Sequence, residues 1–330
     1  MRMTMFLWTA ALILLPVAAA ADEFDTNLRL CESDSSDPDR RITACTWLLS
    51  SDRLGPDWIT AALGNRGVAY HIKGDLERAI QDLDKVIQAD SSDAKAYWTR
   101  GLVYFDKGYL DRSIRDFDEA LNLRPDYVEA YNSRGVAYDH KGDSERAIRD
   151  YDEAIRLRPS DPVAYYNRGL SYYRNRNINR NLDRAIRDFD AVVRLRPDHA
   201  NAYFRRGNAY YRKGNVERAI QDLEETIRLR PNLASAYGNL AWLYATTRET
   251  RFRDGVRAVR LAQEAVKLDD SGSNREALAA AYAEAGSFAE AVAEQQRAIE
   301  MLRAERASRK RIATASSRRD LYRSSQPHRQ

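Results

Sequence analysis

Histidine is scarce in this chain, and the short motifs that announce an enzyme are missing. Only four histidines occur in 330 residues, at His71, His140, His199 and His328. His71 and His140 fall in helices of different repeat units, several helix layers apart, and His199 lies in a connecting loop. They do not converge, which argues against histidine-based catalysis. There is no Gly-rich phosphate loop, no His-Glu-x-x-His helix and no serine nucleophile motif. Nothing in the sequence calls for a cofactor or a metal. Charge of one sign is also lacking: 53 basic and 49 acidic residues leave a net charge of only +4. That balance gives no global footprint for nucleic acid.

Long apolar runs are confined to the start. Arg2 supplies a positive charge, Met5–Val17 is an apolar core, and Ala18–Ala21 offers small residues before Asp22 and Glu23. This is the pattern of a secretory signal, residues 1–21, cut at Ala20 or Ala21. An uncleaved anchor is the alternative, but the run is shorter than the ~20 residues a span needs. The reading implies an exported chain, periplasmic in a double-membraned bacterium, with no further transmembrane segment.

Cysteine is nearly absent. Cys31 and Cys45 are the only two. In an oxidising compartment an isolated pair reads most simply as a disulfide. A free thiol pair or half of a metal site are the alternatives, and no histidine lies nearby to complete the latter. Residues 22–59 are acidic, with a turn cluster at Ser33–Asp39, and read as a small helical hairpin clipped by Cys31–Cys45. Its role would be to cover the end of the array that follows.

Glycine and proline are few and evenly placed. Gly67, Gly101, Gly135 and Gly169 follow at a spacing of 34, and Gly207 comes after a four-residue insertion. In the same phase stand Tyr70, Tyr104, Tyr138, Tyr172, Tyr210 and Tyr244, then Ala79, Ser113, Ala147, Ala185 and Ala219, then Pro125, Pro159, Pro197 and Pro231. Self-similarity at this period is the mark of stacked helical pairs. The Gly and the Ala are small so that two helices approach closely. The Tyr falls on the same helix face as the Gly and fills the core of its unit. Gly74, Gly108, Gly142 and Gly214 sit where a left-handed cap ends the first helix. Arginine and then Pro close the second helix.

The pattern resembles the tetratricopeptide repeat family, in which an aromatic, Gly, Tyr, Ala, an aromatic, Ala and Pro recur. Here Tyr131, Gly135, Tyr138, Ala147, Tyr151, Ala154 and Pro159 meet it. The resemblance covers roughly residues 60–300. It implies an all-α fold, a right-handed superhelical solenoid of antiparallel helix pairs. Units are expected at 60–93, 94–127, 128–161, 162–199, 200–233 and 234–272, with a degenerate seventh or capping unit at 273–308. The insertion predicts an enlarged, basic, Asn-rich loop at Tyr173–Asn181. Residues 309–330 are basic and poor in apolar side chains, and are expected to be an unstructured tail, in which Leu321 and Tyr322 could dock back on the array.

Paired carboxylates also recur: Asp82 and Asp84, Asp116 and Asp118, Asp150 and Asp152, Asp188 and Asp190. Two carboxylates can act as acid and base, but a feature present in every unit is explained by structure. Arg78, Arg112, Arg146, Arg184 and Arg218 stand about a turn before them and can pair along the helix. Arg66, Arg100, Arg134, Arg168 and Arg206 of the Arg-Gly step can bridge to them as well.

Function is expected at positions that do not repeat. The resemblance implies that the first helices line a concave groove. Its candidate lining is Lys95, Trp98, Phe105, Asn132, Asp139, Tyr166, Asn167, Tyr173, Arg174, Phe204, Arg205, Asn208, Tyr211 and Arg212. Aromatic, Asn and Arg side chains are interface material. Packing against the next unit is the plainer reading of Trp98 and Phe105. The sequence thus reads as a non-enzymatic scaffold holding a protein or peptide partner, acidic if the arginines of later units read it. The alternative is envelope attachment, with the basic loop and tail in weak electrostatic contact with anionic polymer or lipid.

Overall fold

A computed structural model describes residues 15–33, 37–174 and 178–330, with side chains from 23 to 33, 37 to 174 and 181 to 330. Of the expected signal segment, residues 1–14 lie outside the described residues. Among the described residues all regular structure is helical, and no helix is long and apolar enough to cross a membrane. The chain divides into two compact units, residues 1–157 and 158–330.

The first unit opens with α1 (Leu15–Glu32) and α2 (Pro38–Leu49), joined by the Cys31–Cys45 disulfide. Asp37 caps α2 by accepting from the Asp39 and Arg40 amides, and Pro38 takes the first helical position, where its missing N–H costs nothing. Phe24, Leu28, Trp47 and Leu48 pack around the sulfurs. The hairpin rests on α3 (Pro56–Lys73). Then come α4 (Leu76–Ala89), α5 (Ala94–Asp106), α6 (Leu110–Leu123), α7 (Val128–His140) and α8 (Ser144–Leu157).

Within each pair the chain reverses at a glycine. Gly74, Gly108 and Gly142 have φ of +83°, +77° and +82°, a region that β-carbon-bearing residues avoid. The following amide returns to the first helix: Asp75 donates to the Tyr70 carbonyl and Asp143 to that of Tyr138, both at 2.9 Å. Asp75 and Asp143 then cap the second helix through the Arg78 and Arg146 amides. One short stretch therefore ends one helix and starts the next.

The repeated small residues stand where the helices meet. Ala79, Ala147, Ala185 and Ala219 are fully buried, as is Ser113. A β-carbon added at Gly101 would lie 2.6 Å from the Phe117 ring, and one at Gly135 would lie 2.6 Å from Tyr151. Tyr70, Tyr138, Tyr210 and Tyr244 are buried in the core. Their rings are met by the second-helix arginines that the sequence suggested would pair with aspartates. Arg78 lies 4.7 Å over Tyr70, Arg146 4.5 Å over Tyr138, Arg218 5.4 Å over Tyr210. A guanidinium over a ring face is attracted by the ring quadrupole while keeping one side in water.

The second unit runs α9 (Pro162–Arg174), α10 (Ile178–Leu195), α11 (Ala200–Arg212), α12 (Val216–Leu229), α13 (Ala234–Thr246), α14 (Gly255–Leu268), α15 (Gly272–Glu284), α16 (Phe288–Ala304) and α17 (Arg309–Arg323). Among the described residues of Tyr173–Asn181, where the four-residue insertion predicts an enlarged loop, the chain is helical. Of that stretch, 175–177 lie outside the described residues, and α10 already runs from Ile178. It has 18 residues where α12 has 14. Four residues add about one helical turn, which lengthens the helix and keeps its face in register.

The larger correction concerns 309–330. In place of an unstructured tail, α17 packs on α16. Ala315 and Tyr322 are fully buried. Arg311, Ala315, Arg318 and Tyr322 follow at helical spacing, so two arginines lie on the inward stripe. Both pair with Glu276 of α15, which is itself buried. Charge neutralisation across helices, invisible in hydropathy, seats the helix.

The glycine geometry predicts opposite outcomes for one substitution. Gly101→Ala should lower stability in urea unfolding by about 1–3 kcal/mol, the cost of overpacking. At Gly64 the added methyl would meet only a Val86 methyl, at 3.9 Å. Gly64→Ala should leave stability unchanged or raise it by up to about 1 kcal/mol. Equal losses at both sites would mean that close helix approach is not what these glycines serve.

Candidate functional site

The recurring carboxylates are consumed by structure. Arg100 forks onto Asp116, with Nε and Nη2 each donating at 2.8 Å, and its Nη1 reaches Asp84 of the preceding pair at 2.6 Å. Arg134 does the same to Asp150 and Asp118, and Arg206 to Asp222 and Asp190. Arg66 forks onto Asp82 and reaches back to the Thr46 hydroxyl, since no repeat precedes it. Arg168 forks onto Asp188. The hydrogen bonds to Asp116 hold the Arg100 guanidinium above its ordinary value despite burial. Burial pushes Asp116, Asp150 and Asp222 above the usual carboxylate value, against the pull of their arginines. Each oxygen of these buried carboxylates accepts from its arginine, so the pairs are accounted for as structural ion pairs. Among the described residues no cluster of His, Cys, Asp and Glu is set to hold a metal ion.

The histidines serve separate contacts. His71 pairs with Asp106 at 2.5 Å, His140 meets the Phe105 ring edge-on at 4.9 Å, and Nδ1 of His199 caps α11 through the Ala202 amide. His328 lies 5.7 Å from the Trp242 ring.

All fourteen candidate lining residues fall on the first helices α5, α7, α9 and α11. In the first unit most are tied into packing. The Trp98 indole donates to Ser133 Oγ at 3.0 Å and its ring lies 5.6 Å from Tyr127. Phe105 is half-buried against His140, Asn132 is buried on α7, and Asp139 accepts from the Tyr151 hydroxyl at 3.3 Å. Lys95 stays exposed. It borders a cavity of about 320 Å³ lined by Asp57, Thr60, Gly64, Asn65, Val68 and Thr99.

In the second unit Tyr166 stands between Phe189 and His199, at 6.0 and 5.1 Å. Asn167 is half-buried and Arg174 exposed. Phe204 is half-buried, with the Arg205 guanidinium 5.7 Å from its ring. Four of the candidates converge further on. Tyr173, Asn208, Tyr211 and Arg212 line a cavity of about 270 Å³ together with Asn239 and Trp242 of α13. Arg212 lies 4.6 Å over Tyr173, and Asn239 donates to Asn208 at 2.8 Å. A neighbouring cavity of about 500 Å³ shares Tyr211, Asn239 and Trp242 and reaches Asn274, Glu276 and Arg318.

Gln330, the end of the segment Gln326–Gln330, lines the larger cavity. Ser325 takes a left-handed turn, φ +53°, and Pro327 bars any return to helix. The chain is thereby sent back along α13. Gln330 Oε1 accepts from the Tyr211 hydroxyl at 2.6 Å and from the Trp242 indole at 2.7 Å. The Gln330 amide donates to the Thr246 carbonyl at 2.9 Å. Arg329 pairs with Glu284 at 2.6 Å and donates to the Ala245 carbonyl at 3.2 Å. Ala245 and Thr246 hold the last carbonyls of α13, which have no partner within their own helix.

Trp242, Glu284 and the whole segment were missed by sequence reasoning. One signal was available. Trp242 stands where other units have Leu102, Val136, Leu170 and Asn208, and so breaks the pattern at a first-helix position. Glu284 carries no such mark.

Comparison with known proteins agrees with this architecture. A TPR repeat model matches residues 67–108, 101–142 and 140–175, and a tetratricopeptide repeat model matches 179–248. Together they cover more than half of the chain. Among solved structures, a tetratricopeptide repeat protein from Parabacteroides merdae is 18% identical, with a TM-score of 0.56 over 78% of this chain and 96% of that one. The C-terminal part of a TPR repeat-containing protein from Cytophaga hutchinsonii is 20% identical, with a TM-score of 0.55 over 77% of this chain and 95% of that one. YrrB, described as a TPR protein with an unusual peptide-binding site, is 26% identical, with a TM-score of 0.47 over 59% of this chain and 96% of that one. No curated protein sequence matches the chain.

The seated segment carries its own pH dependence. A free imidazole titrates near about 6.5. Burial, then Arg318 and Arg329, hold the seated His328 below that. The released segment binds a proton more readily, so seating is favoured above about pH 6.5 and is lost as pH falls through the lowered value. Hydrogen exchange at the Gln330 amide, corrected for intrinsic rate, should show stronger protection at pH 7.5 than at pH 5. Equal protection at the two pH values would refute this.

Proposed function

The chain belongs to the tetratricopeptide repeat family, and we propose that it is a non-enzymatic, exported scaffold that binds a protein or peptide on the face of its first helices. One observation carries the reading. The side chains that recur are largely engaged with one another, while one cavity of the first unit and two of the second are lined largely by first-helix residues that do not recur; two further cavities of the second unit are lined largely by α10, α12 and residues 249–257. In the first unit the first-helix residues are Thr60, Gly64, Val68, Lys95 and Thr99. Such surfaces recognise partners through shape, hydrogen bonds and a few aromatic anchors. The Arg–Asp pairs favour a binding role over an enzymatic one, because a structural ion pair repeated along the array accounts for the recurring carboxylates.

Export is supported by the Cys31–Cys45 disulfide, since such bonds persist in oxidising compartments. The signal pattern at 1–21 points the same way. Envelope attachment through the basic tail is the weaker reading: Arg311 and Arg318 are turned inward to Glu276, and Arg319 donates to Gln296. Arg309, Lys310 and Arg323 remain on the exposed side of α17.

Two measurements test the proposal. A photo-reactive side chain at Lys95 should crosslink a discrete partner in intact cells, and one at Arg115, exposed on the second helix α6, should not. Adducts of equal yield at both positions, or none at Lys95, would remove the first-helix face as the binding surface. Cys31 and Cys45 should resist alkylation in cells until a reductant is added, and replacing both with Ser should cost about 3 kcal/mol of stability. Ready alkylation without reductant would place the chain in a reducing compartment.

A further inference from the structure

The geometry points to a peptide-reading site on α11, α13 and α15, whose ligand is a short extended segment carrying an arginine, with the chain's own Gln326–Gln330 seated in it as a stand-in. The inference rests on the reading of the first-helix face as a binding surface. It concerns the second unit alone, so crosslinks from Lys95 would survive its failure.

What the site offers defines what it takes. Tyr211 and Trp242 present two donors converging on a single acceptor, the Gln330 side-chain oxygen, at 2.6 and 2.7 Å. A carboxamide or another carbonyl suits that position. The Arg318 guanidinium lies 4.8 Å over the Trp242 indole, and the His328 ring meets the indole at 5.7 Å, tilted by 51°, so a ring set at an angle to the indole suits the next place. Glu284 and the Ala245 carbonyl both take the Arg329 guanidinium, so a cation suits the third. The Thr246 carbonyl takes a backbone N–H, which favours a peptide over a small molecule.

Two of these acceptors exist in the fold whether or not a segment is present. Thr247 satisfies the Leu243 carbonyl and Asp254 that of Tyr244, at 3.2 Å each. The next two carbonyls, of Ala245 and Thr246, face the segment. A helix end carries partial negative charge, and Glu284, whose Oε1 is met by Arg253 at 3.3 Å, turns its Oε2 to Arg329, so the place suits a guanidinium that two acceptors can share. The out-of-step Trp242 supplies the aromatic wall that the ligand's ring meets. The cavity of about 500 Å³ is lined by Gln330 itself, and that of about 270 Å³ shares Tyr211 and Trp242 with it, leaving room for a ligand longer than the seated segment.

The seated segment therefore competes with any ligand in trans. A partner peptide of the same chemistry must displace it, and conditions that release it open the site. The local concentration of a tethered segment reaches about millimolar, enough to exclude weak ligands and admit tight ones.

The test uses a chain ending at Ser325, which keeps α17, and a fluorescein-labelled synthetic peptide, Ser-Ser-Gln-Pro-His-Arg-Gln. Anisotropy should report saturable binding to the shortened chain and at least tenfold weaker binding to the full chain. A peptide with Ala in place of Arg should bind the shortened chain at least tenfold more weakly, as should the intact peptide to a shortened chain carrying Glu284→Gln. Circular dichroism checks that the shortened chain is folded. If it is not, the full-length Arg329→Ala/Gln330→Ala variant takes its place, since it empties the site without removing backbone. Absence of saturable binding to a folded, emptied chain overturns the inference, as does binding of equal strength to the full chain.

Discussion

Within the first unit, and between α9–α10 and α11–α12 in the second, successive pairs of helices are joined by one guanidinium. Arg100 and Arg134 put two nitrogens on the aspartate of their own second helix and a third on the aspartate of the previous one. Only arginine has a planar fork with a further donor to spare. The contact is half-buried, so breaking one partner would leave a charge with poor access to water. The same bond thus sets the spacing within a pair and the stacking between pairs. Outside it runs a second tie at the turns, Lys107 to Glu77, Lys141 to Asp111 and Lys213 to Asp183. These pairs are exposed on their acidic side and hold the turns in place more than they stabilise them.

The ladder explains where function can lie. It uses Arg, Asp, Gly, Ala and Tyr at fixed positions, so side chains at those positions are committed. It ends where Leu240 and Ala241 replace the Arg-Gly step. There Glu224, in place of aspartate, turns to Arg257 and the Tyr244 hydroxyl. One residue beyond that break stands Trp242, the centre of the second-unit site. A solenoid relieved of its own stacking bond at one step can place a different side chain there, and here that is an aromatic wall with an indole donor.

The candidate lining was legible only in part. Position on the first helices could be read, because a 34-residue period places every side chain in phase. Which of those side chains stay available could not. Trp98 and Phe105 look like binding residues and are spent on Ser133, Tyr127 and His140. Tyr211 and Arg212 look the same in sequence and do border a cavity. The difference depends on a neighbour about 34 residues away, whose approach is not encoded locally.

The sequence by itself determined the helix pairs, their turns and their phase, since glycine caps, aspartate caps and small–small contacts act over a few residues and recur in most units. It also determined that the two cysteines could meet, being 14 apart on either side of a turn. The tertiary structure decided which arginine serves which aspartate, and it decided the fate of 309–330. Arg311 and Arg318 read as solvent-facing charge until Glu276, 35 and 42 residues earlier, is folded against them. A charge is hydrophilic or buried according to what lies opposite, and only the fold sets what lies opposite.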